Sequence, residues 1–429
     1  MKQQIIDELT TKSNINITPG LDRIKILLNY LGNPQNNYKV IHITGSNGKG
    51  STAAFIEAGL IHAKYKVGKY TSPHIYAINE TITLNGVAIS DNILEDTFIY
   101  VKNIVNIHNL LASPFELLTA IMFYFFSKNG IEYLVLEVGM GGENDATNVI
   151  LNPVYCIITN IALEHTNWLG NSLKDIAKEK TGIIKNNTPT VFADNSIELL
   201  VQIKKRTNYY TNILDKYLGS IVLDFINFKT ILAINLEVSP LGSKDLMEIY
   251  SLNLFGKFQA YNFLCAYEVL SGLNIAAESI RYAAESAKWH GRLERIAINP
   301  EIIVDATHNE SGAKVLYDTL AINYIPEDVV VITSILADKN IPAMLGYLNQ
   351  ISSTIIFTSI TTTSRGLEAS KLYDIYQSSG MIEDHASINT ICYSIEDPLA
   401  ALEFAKTLNK KLILITGSLY LIKHYRSIP

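Results

Sequence analysis

The chain has 429 residues, 48% of them hydrophobic, which is enough for more than one packed core and predicts two or three domains. A net charge of −6 argues against nucleic acid or an anionic membrane as the main partner and leaves room only for a local basic pocket. Cys156, Cys265 and Cys392 lie far apart, so neither a disulfide framework nor a cysteine metal site is indicated, and a reduced cytoplasm fits.

The opening "MKQQIIDELTTKSN" lacks the long apolar core of a secretory signal. "KVIHIT" (39–44) reads as a buried parallel strand, followed by a glycine-rich turn and a helix over 51–64. Residues 67–71 form a candidate strand and 113–127 a helix. The apolar run within that helix, "LLTAIMFYFF" (117–126), is too short to span a bilayer and reads as buried. "YLVLEVG" (133–139), "VYCIITNI" (154–161) and "TPTVFA" (188–193) are apolar on both faces, as strands of a helix-covered parallel sheet must be. After a helix over 279–288, a second set of strands follows: "PEIIVDAT" (300–307), "VVVITSI" (329–335), "STIIFTSI" (353–360) and "KLILITGS" (411–418). The alternation predicts the α/β class. Residues 1–288 form an N-terminal phosphate-loop-type domain with a mostly parallel sheet, and residues 289–429 a smaller, Rossmann-like C-terminal α/β domain.

In "HITGSNGKGSTAAF" (42–55), Gly50 separates Lys49 from Ser51, so the common G-x-x-x-x-G-K-[ST] spelling is broken. The physical ingredients survive. Gly45, Gly48 and Gly50 permit positive φ and close backbone approach, and the helix N-terminus favours phosphate. Lys49 can neutralise a phosphate, and the Ser51 hydroxyl suits a hard cation such as Mg²⁺. The plain alternative is a glycine-rich turn with no ligand.

Three further strand ends carry polar chemistry. Glu137 closes an otherwise apolar strand, where a carboxylate is costly unless compensated. Glu164 and His165 follow the next strand, and Ser72 and His74 follow residues 67–71. Each alone could be a capping or ion-paired group.

Together these residues resemble the folylpolyglutamate synthase and dihydrofolate synthase family of the Mur ligase superfamily. The resemblance covers nearly the whole chain, including the G-K-G-S spelling. "YTSPHI", "EVGMGGENDATN", "ITNIALEHTNWLGNSLKDIAKEKTGII", "GKFQAYN", "GRLE", "DATHNESGA", "DKN", "SRGLEA" and "TGSLYL" follow in the family's order.

The resemblance implies that ATP lies on Gly45, Asn47, Gly48, Lys49, Gly50 and Ser51, with further contacts from Asn262, Arg292, Asp305 and His308. It implies one Mg²⁺ shared by Ser51, Ser72 and Glu137, and a second held by His165 and a carbamylated Lys180; a solvated helix lysine is the plain alternative for Lys180. Lys49, His165 and Lys180 are the implied catalytic residues, and the C-terminal domain would close over ATP. The implied reaction joins L-glutamate to dihydropteroate or reduced folates through an acyl phosphate, in a cytoplasmic monomer with small-molecule partners and neither nucleic acid nor membrane. A related ligase joining a different acid and amine is the alternative.

Two departures stand out. The family's "E-V-G-x-G-G-R-x-D-A-T-N" has Glu143 at the arginine, and "N-E-R-I" has Thr81 at its arginine. Both changes predict either compensation by nearby lysines or altered substrate binding. Thr71 stands where serine is common, whereas Phe115 and Glu116 keep the family's substrate-side helix start.

Overall fold

The computed structural model describes residues 3–10, 20–236, 246–379 and 390–425. It divides into two compact units. Unit 1 comprises Met1–Ile221, Ile231–Asn253 and Gln259–Lys288, and unit 2 comprises Val222–Thr230, Leu254–Phe258 and Trp289–Pro429.

Unit 1 is built on eight strands: β1 (Lys39–Thr44), β2 (Val67–Tyr70), β3 (Ile82–Leu84), β4 (Val87–Ala88), β5 (Tyr133–Glu137), β6 (Tyr155–Ile158), β7 (Thr190–Phe192) and β8 (Tyr210–Asn212). Their order is β4–β3–β2–β5–β1–β6–β7–β8. β2, β5, β1, β6, β7 and β8 run parallel, and β3 and β4 are antiparallel at one edge. Strand direction of travel reverses at β1, the place in an open α/β sheet where loops splay apart and ligands bind. Both faces are buried: Ile41, Ile43, Val135, Ile157 and Val191 point to one, and the two clusters that follow lie on the other. Val40, Tyr70, Leu134 and Leu136 pack with Leu117, Ile121 and Phe98, whose helices are Pro114–Lys128 and Asp91–Ile107. Cys156, Ile158 and Phe192 pack with Ile176, Ala177, Leu199 and Ile203. The 117–126 run is therefore a buried helix, and among the described residues no helix is long and apolar enough to cross a membrane.

A three-stranded sheet comprises β9 (Leu218–Asp224), β10 (Lys229–Leu236) and β11 (Leu246–Leu252), in the order β11–β10–β9. None of the strands expected from the sequence corresponds to it. β9 is largely exposed, so it lacks the apolar run that marks a buried strand.

Unit 2 holds β12 (Glu294–Ile298), β13 (Glu301–Val304), β14 (Val329–Thr333), β15 (Thr354–Phe357), β16 (Ile391–Ser394) and β17 (Leu412–Thr416), in the order β12–β13–β17–β14–β15–β16. All pair in parallel except β12, which runs antiparallel to β13. β14 and β17 are buried throughout, which explains their continuous apolar sequences. The strands end earlier than their hydrophobicity predicts: β5 at Glu137, β6 at Ile158, β13 at Val304 and β14 at Thr333. One more backbone bond follows at three of these ends, from Val138 N to Ile43 O, Thr159 N to Thr44 O and Asp305 N to Ile415 O, before the chain turns into the loops at the sheet's carboxyl edge.

Candidate active site

The loop after β1 is shaped by what surrounds it. Gly45 has φ 147°, and a Cβ there would stand 1.8 Å from Thr159 Oγ1. Gly48 has φ 88°, caps the helix Lys49–His62, and would place a Cβ 2.2 Å from Asn262 Oδ1. Only glycine fits either position, both for the left-handed backbone and for space. The start of the β6 loop clamps the turn. Ser46 N donates to Asn160 O at 2.9 Å, Asn47 N to Asn160 Oδ1 at 2.9 Å, and Thr159 Oγ1 to Asn47 O at 2.5 Å. Lys49 Nζ folds over the turn and donates to Gly45 O at 2.9 Å. Gly50 and Ser51 are buried in the first helical turn, and Asn262, held by Gln259 at 3.0 Å, closes the side at Gly48.

Glu137, 4% exposed, is the last residue of β5 and pairs in register with Ile43 of β1, two residues before Gly45. Ser72 follows β2, the next strand outward, and His165 follows β6, where it takes a left-handed conformation (φ 47°) at the start of helix Thr166–Leu169. β2, β5, β1 and β6 are neighbours, so the topology brings Ser72, Glu137, the glycine loop and the Glu164–His165 pair to one edge of one sheet.

Lys180 lies in the last turn of helix Leu173–Thr181 and is 1% exposed, with Nζ 2.7 Å from Glu164 Oε1. It is not a solvated lysine. Burial lowers its pKa to about 8, against the raising effect of Glu164, and Lys49 lowers it further. For Glu164 burial acts to raise the pKa, but Lys180 and Lys49 outweigh it and hold the carboxyl below its usual range. Glu164 thus stands in the field of two site lysines, a role that its position after β6 hinted at but did not define.

Glu143 forms an ion pair with Arg206, 3.0 Å from NH2 to Oε2. The reversal of charge at the family's arginine is therefore met by an arginine, with Lys185 also within electrostatic reach of Glu143. Thr81 is buried and turns inward, donating to Ile78 O at 2.6 Å.

Arg292, Asp305 and His308 belong to unit 2 and are organised there by Asp305. Its Oδ2 accepts from Leu293 N and its Oδ1 from Thr307 N, both at 2.8 Å, so the buried carboxylate ties the residue after Arg292 to the residue before His308. His308 Nδ1 lies 2.9 Å from Ala306 O. Asn309 caps helix Glu310–Leu320 through Gly312 N at 2.7 Å.

Residues that sequence reasoning missed are the supports: Thr44, Thr159 and Asn160 around the loop, and a buried His42 in β1. Thr44 Oγ1 donates to Gly141 O at 2.6 Å, tying β1 to the segment after Glu137. A polar residue in an otherwise apolar strand is the signal that would have found His42 and Thr44.

A glycine cradle between a central parallel strand and its helix, with a lysine folded over it and acids at the adjoining strand ends, defines a nucleotide-dependent α/β enzyme of the phosphate-loop class. Residues 43–270 match the Mur ligase middle domain. The chain is 32% identical to the dihydrofolate synthase/folylpolyglutamate synthase of Bacillus subtilis, over 96% of this chain and 95% of that protein. It is 30% identical to the folylpolyglutamate synthase of Lacticaseibacillus casei, over 94% and 93%. The Mycobacterium tuberculosis folylpolyglutamate synthase, solved with ADP and AMPPCP, superposes with a TM-score of 0.85 at 28% identity, covering 99% of this chain and 97% of that one. The chain belongs to the folylpolyglutamate synthase/dihydrofolate synthase family of Mur ligases.

Proposed function

We propose that the edge formed by the ends of β2, β5, β1 and β6 activates a carboxylate with ATP and joins it to L-glutamate. The chain is an ATP-dependent acid–amino-acid ligase of the folylpolyglutamate/dihydrofolate synthase type. The observation that carries the assignment of residues is the convergence there of the glycine cradle, Glu137 and the buried Lys180–Glu164 pair.

The residues fit the ligands the reaction needs. The cradle leaves no room for side chains at Gly45 and Gly48 and so admits a phosphate against backbone N–H groups. Lys49 exchanges its loop carbonyls for phosphate oxygen and offsets charge on the transferred group. Ser51 and Glu137 offer oxygen donors, the set a hard divalent cation takes, with Ser72 as the third. A cation held there would supply positive charge to the phosphate oxygens. Lys180 and His165 are assigned to a second cation. Burial makes the neutral Lys180 amine accessible near neutral pH, and that form adds CO₂ through a new N–C bond and releases one N–H proton to give the carbamate anion. A carbamate beside Glu164 is a pair of anions, so its formation is coupled to uptake of the cation.

The substrate carboxylate attacks the γ-phosphate, ADP leaves, and the glutamate amine displaces phosphate from the acyl carbon. No protein nucleophile is needed, and buried Cys156 and Cys265, whose pKa burial raises, take no part. Arg292, Asp305 and His308 are assigned further ATP contacts. The protein acts as a monomer on small molecules.

Phosphate release from ATP and Mg²⁺ with L-glutamate, offering dihydropteroate and tetrahydrofolate in parallel, tests this. Release with either acid, abolished in Lys49→Ala, is the expected result. Folded protein that binds ATP and stays silent with both acids points instead to a ligase for another acid and amine.

A further inference from the structure

His42 is fully buried in β1, with Nε2 3.0 Å from Thr147 Oγ1. Thr147 Oγ1 in turn lies 2.6 Å from Asp145 Oδ1, the nearer of its two neighbours. A hydroxyl has one hydrogen, and here it is directed to the carboxylate, so His42 donates from Nε2. Its Nδ1 is then a bare acceptor, buried and without a hydrogen-bond partner among the described residues. Burial, with Lys185 as the charged neighbour, drives the imidazole pKa down to about 3, and the ring is neutral at any working pH. An apolar side chain would fill this place without leaving a buried polar atom unmatched, so packing does not account for a histidine.

The relay ends on a loop that is also tied to β1 by Thr44 at Gly141 O and to the turn after Lys180 by Asn148 at Gly182 O. Asp145 gathers it from within, accepting from Met140 N at 2.9 Å and Thr147 N at 3.0 Å. The loop starts at Glu137, and its Glu143 N donates to Glu179 O at 2.9 Å, one residue before Lys180. Gly142 lies so close that a Cβ would stand 2.9 Å from Lys180 O. The segment 138–149 is thus the strut between Glu137 and Lys180, and His42 holds its far end to the strand that carries the phosphate loop.

We infer that His42 is a positioning residue which, through Thr147 and Asp145, fixes the spacing of Glu137 and Lys180 for divalent-cation binding. It rests on the assignment of those two residues to cation sites. Groups one step behind a metal's ligands usually change affinity ten- to a hundredfold when removed, and roughly tenfold is expected here.

The test compares Thr147→Val, isosteric but unable to relay, with Thr147→Ser, which keeps both hydrogen bonds, and with His42→Leu. Mn²⁺ is titrated by electron paramagnetic resonance with ADP present, and ADP affinity is measured without metal. Thr147→Val should weaken Mn²⁺ roughly tenfold and leave metal-free ADP binding within about twofold, with Thr147→Ser close to wild type. Histidine ¹⁵N shifts should show the neutral Nε2–H tautomer for His42. Unchanged Mn²⁺ affinity in Thr147→Val, an equal loss of ADP binding, or the opposite tautomer overturns the inference. A wild-type chain without turnover or Mn²⁺ uptake defeats the functional reading instead. The relay is then judged by amide hydrogen exchange at Met140 and Glu143: faster in Thr147→Val but not in Thr147→Ser supports it, and unchanged exchange overturns it.

Discussion

Lys180 and Glu164 form a buried ion pair, Nζ to Oε1 2.7 Å, within the electrostatic reach of Lys49. With the Lys180 pKa lowered to about 8 by burial, the amine competent to take up CO₂ grows as pH rises through that value. Removing bicarbonate should therefore slow turnover. Lys180→Ala should be inactive and partly restored by a short carboxylate such as acetate. Full activity in Lys180→Ala would remove Lys180 from the cation site.

The same shift has a stability consequence with a definite sign. The folded pKa lies below the ordinary 10.5, so between about 8 and 10.5 the unfolded chain binds the extra proton. In the metal-free, bicarbonate-free protein, the contribution of Lys180 to stability therefore rises with pH across that window. The melting-temperature difference, wild type minus Lys180→Met, should be more positive near pH ~10 than near pH ~7.5. A difference independent of pH would contradict the shift.

Gly48→Ala forces a Cβ to within 2.2 Å of Asn262 Oδ1 at a backbone φ of 88°. The variant should lose at least ~10-fold in ATP affinity, about 1.4 kcal/mol, because the cradle must open to admit the methyl group. Isothermal titration with ATP measures it; wild-type affinity would mean that the cradle does not hold the phosphates.

Glu143 and Arg206 form a half-exposed pair, with the Glu143 side chain 42% exposed, so Arg206→Ala should change stability by less than ~1 kcal/mol. Glu143→Arg places two cations together and should raise KM for the carboxylic acid. Glu143→Arg with Arg206→Glu should restore it. Equal KM values in all three would show that this position does not bear on the acid.

Asp305→Asn leaves one of two backbone donors, Leu293 N or Thr307 N, without an oxygen. A buried donor left unmatched costs about 1–3 kcal/mol, to be read as a fall in denaturant midpoint. Since the carboxylate anchors both loops that carry Arg292 and His308, KM for ATP should rise in the same variant. A rise in KM without loss of stability would indicate that Asp305 meets the nucleotide directly.

Much of unit 1 was legible because a parallel strand buried on both faces writes itself as an apolar run. "KVIHIT" is β1 residue for residue, and "YLVLEVG" and "VYCIITNI" are β5 and β6 with a few residues too many at the ends. The β3–β4 hairpin was missed although Asn85 and Gly86 both have positive φ, the turn that Asn-Gly favours, because its strands are too short for a period to show. β9 escaped because it is exposed.

What is written in the chain is the set of reactive groups: a lysine and a serine on a glycine turn, an acid at the end of an apolar strand, and motifs in the family's order. Local backbone preference and burial act over a few residues and leave that trace in the chain. Tertiary structure alone decided which strand ends are neighbours, since sheet order follows from packing and not from sequence order. That order put Glu137 beside Ile43, Glu164 against Lys180 and Arg206 against Glu143. It also buried His42 behind Thr147, where an imidazole becomes a fixed, neutral donor because no solvent is left to compete for it.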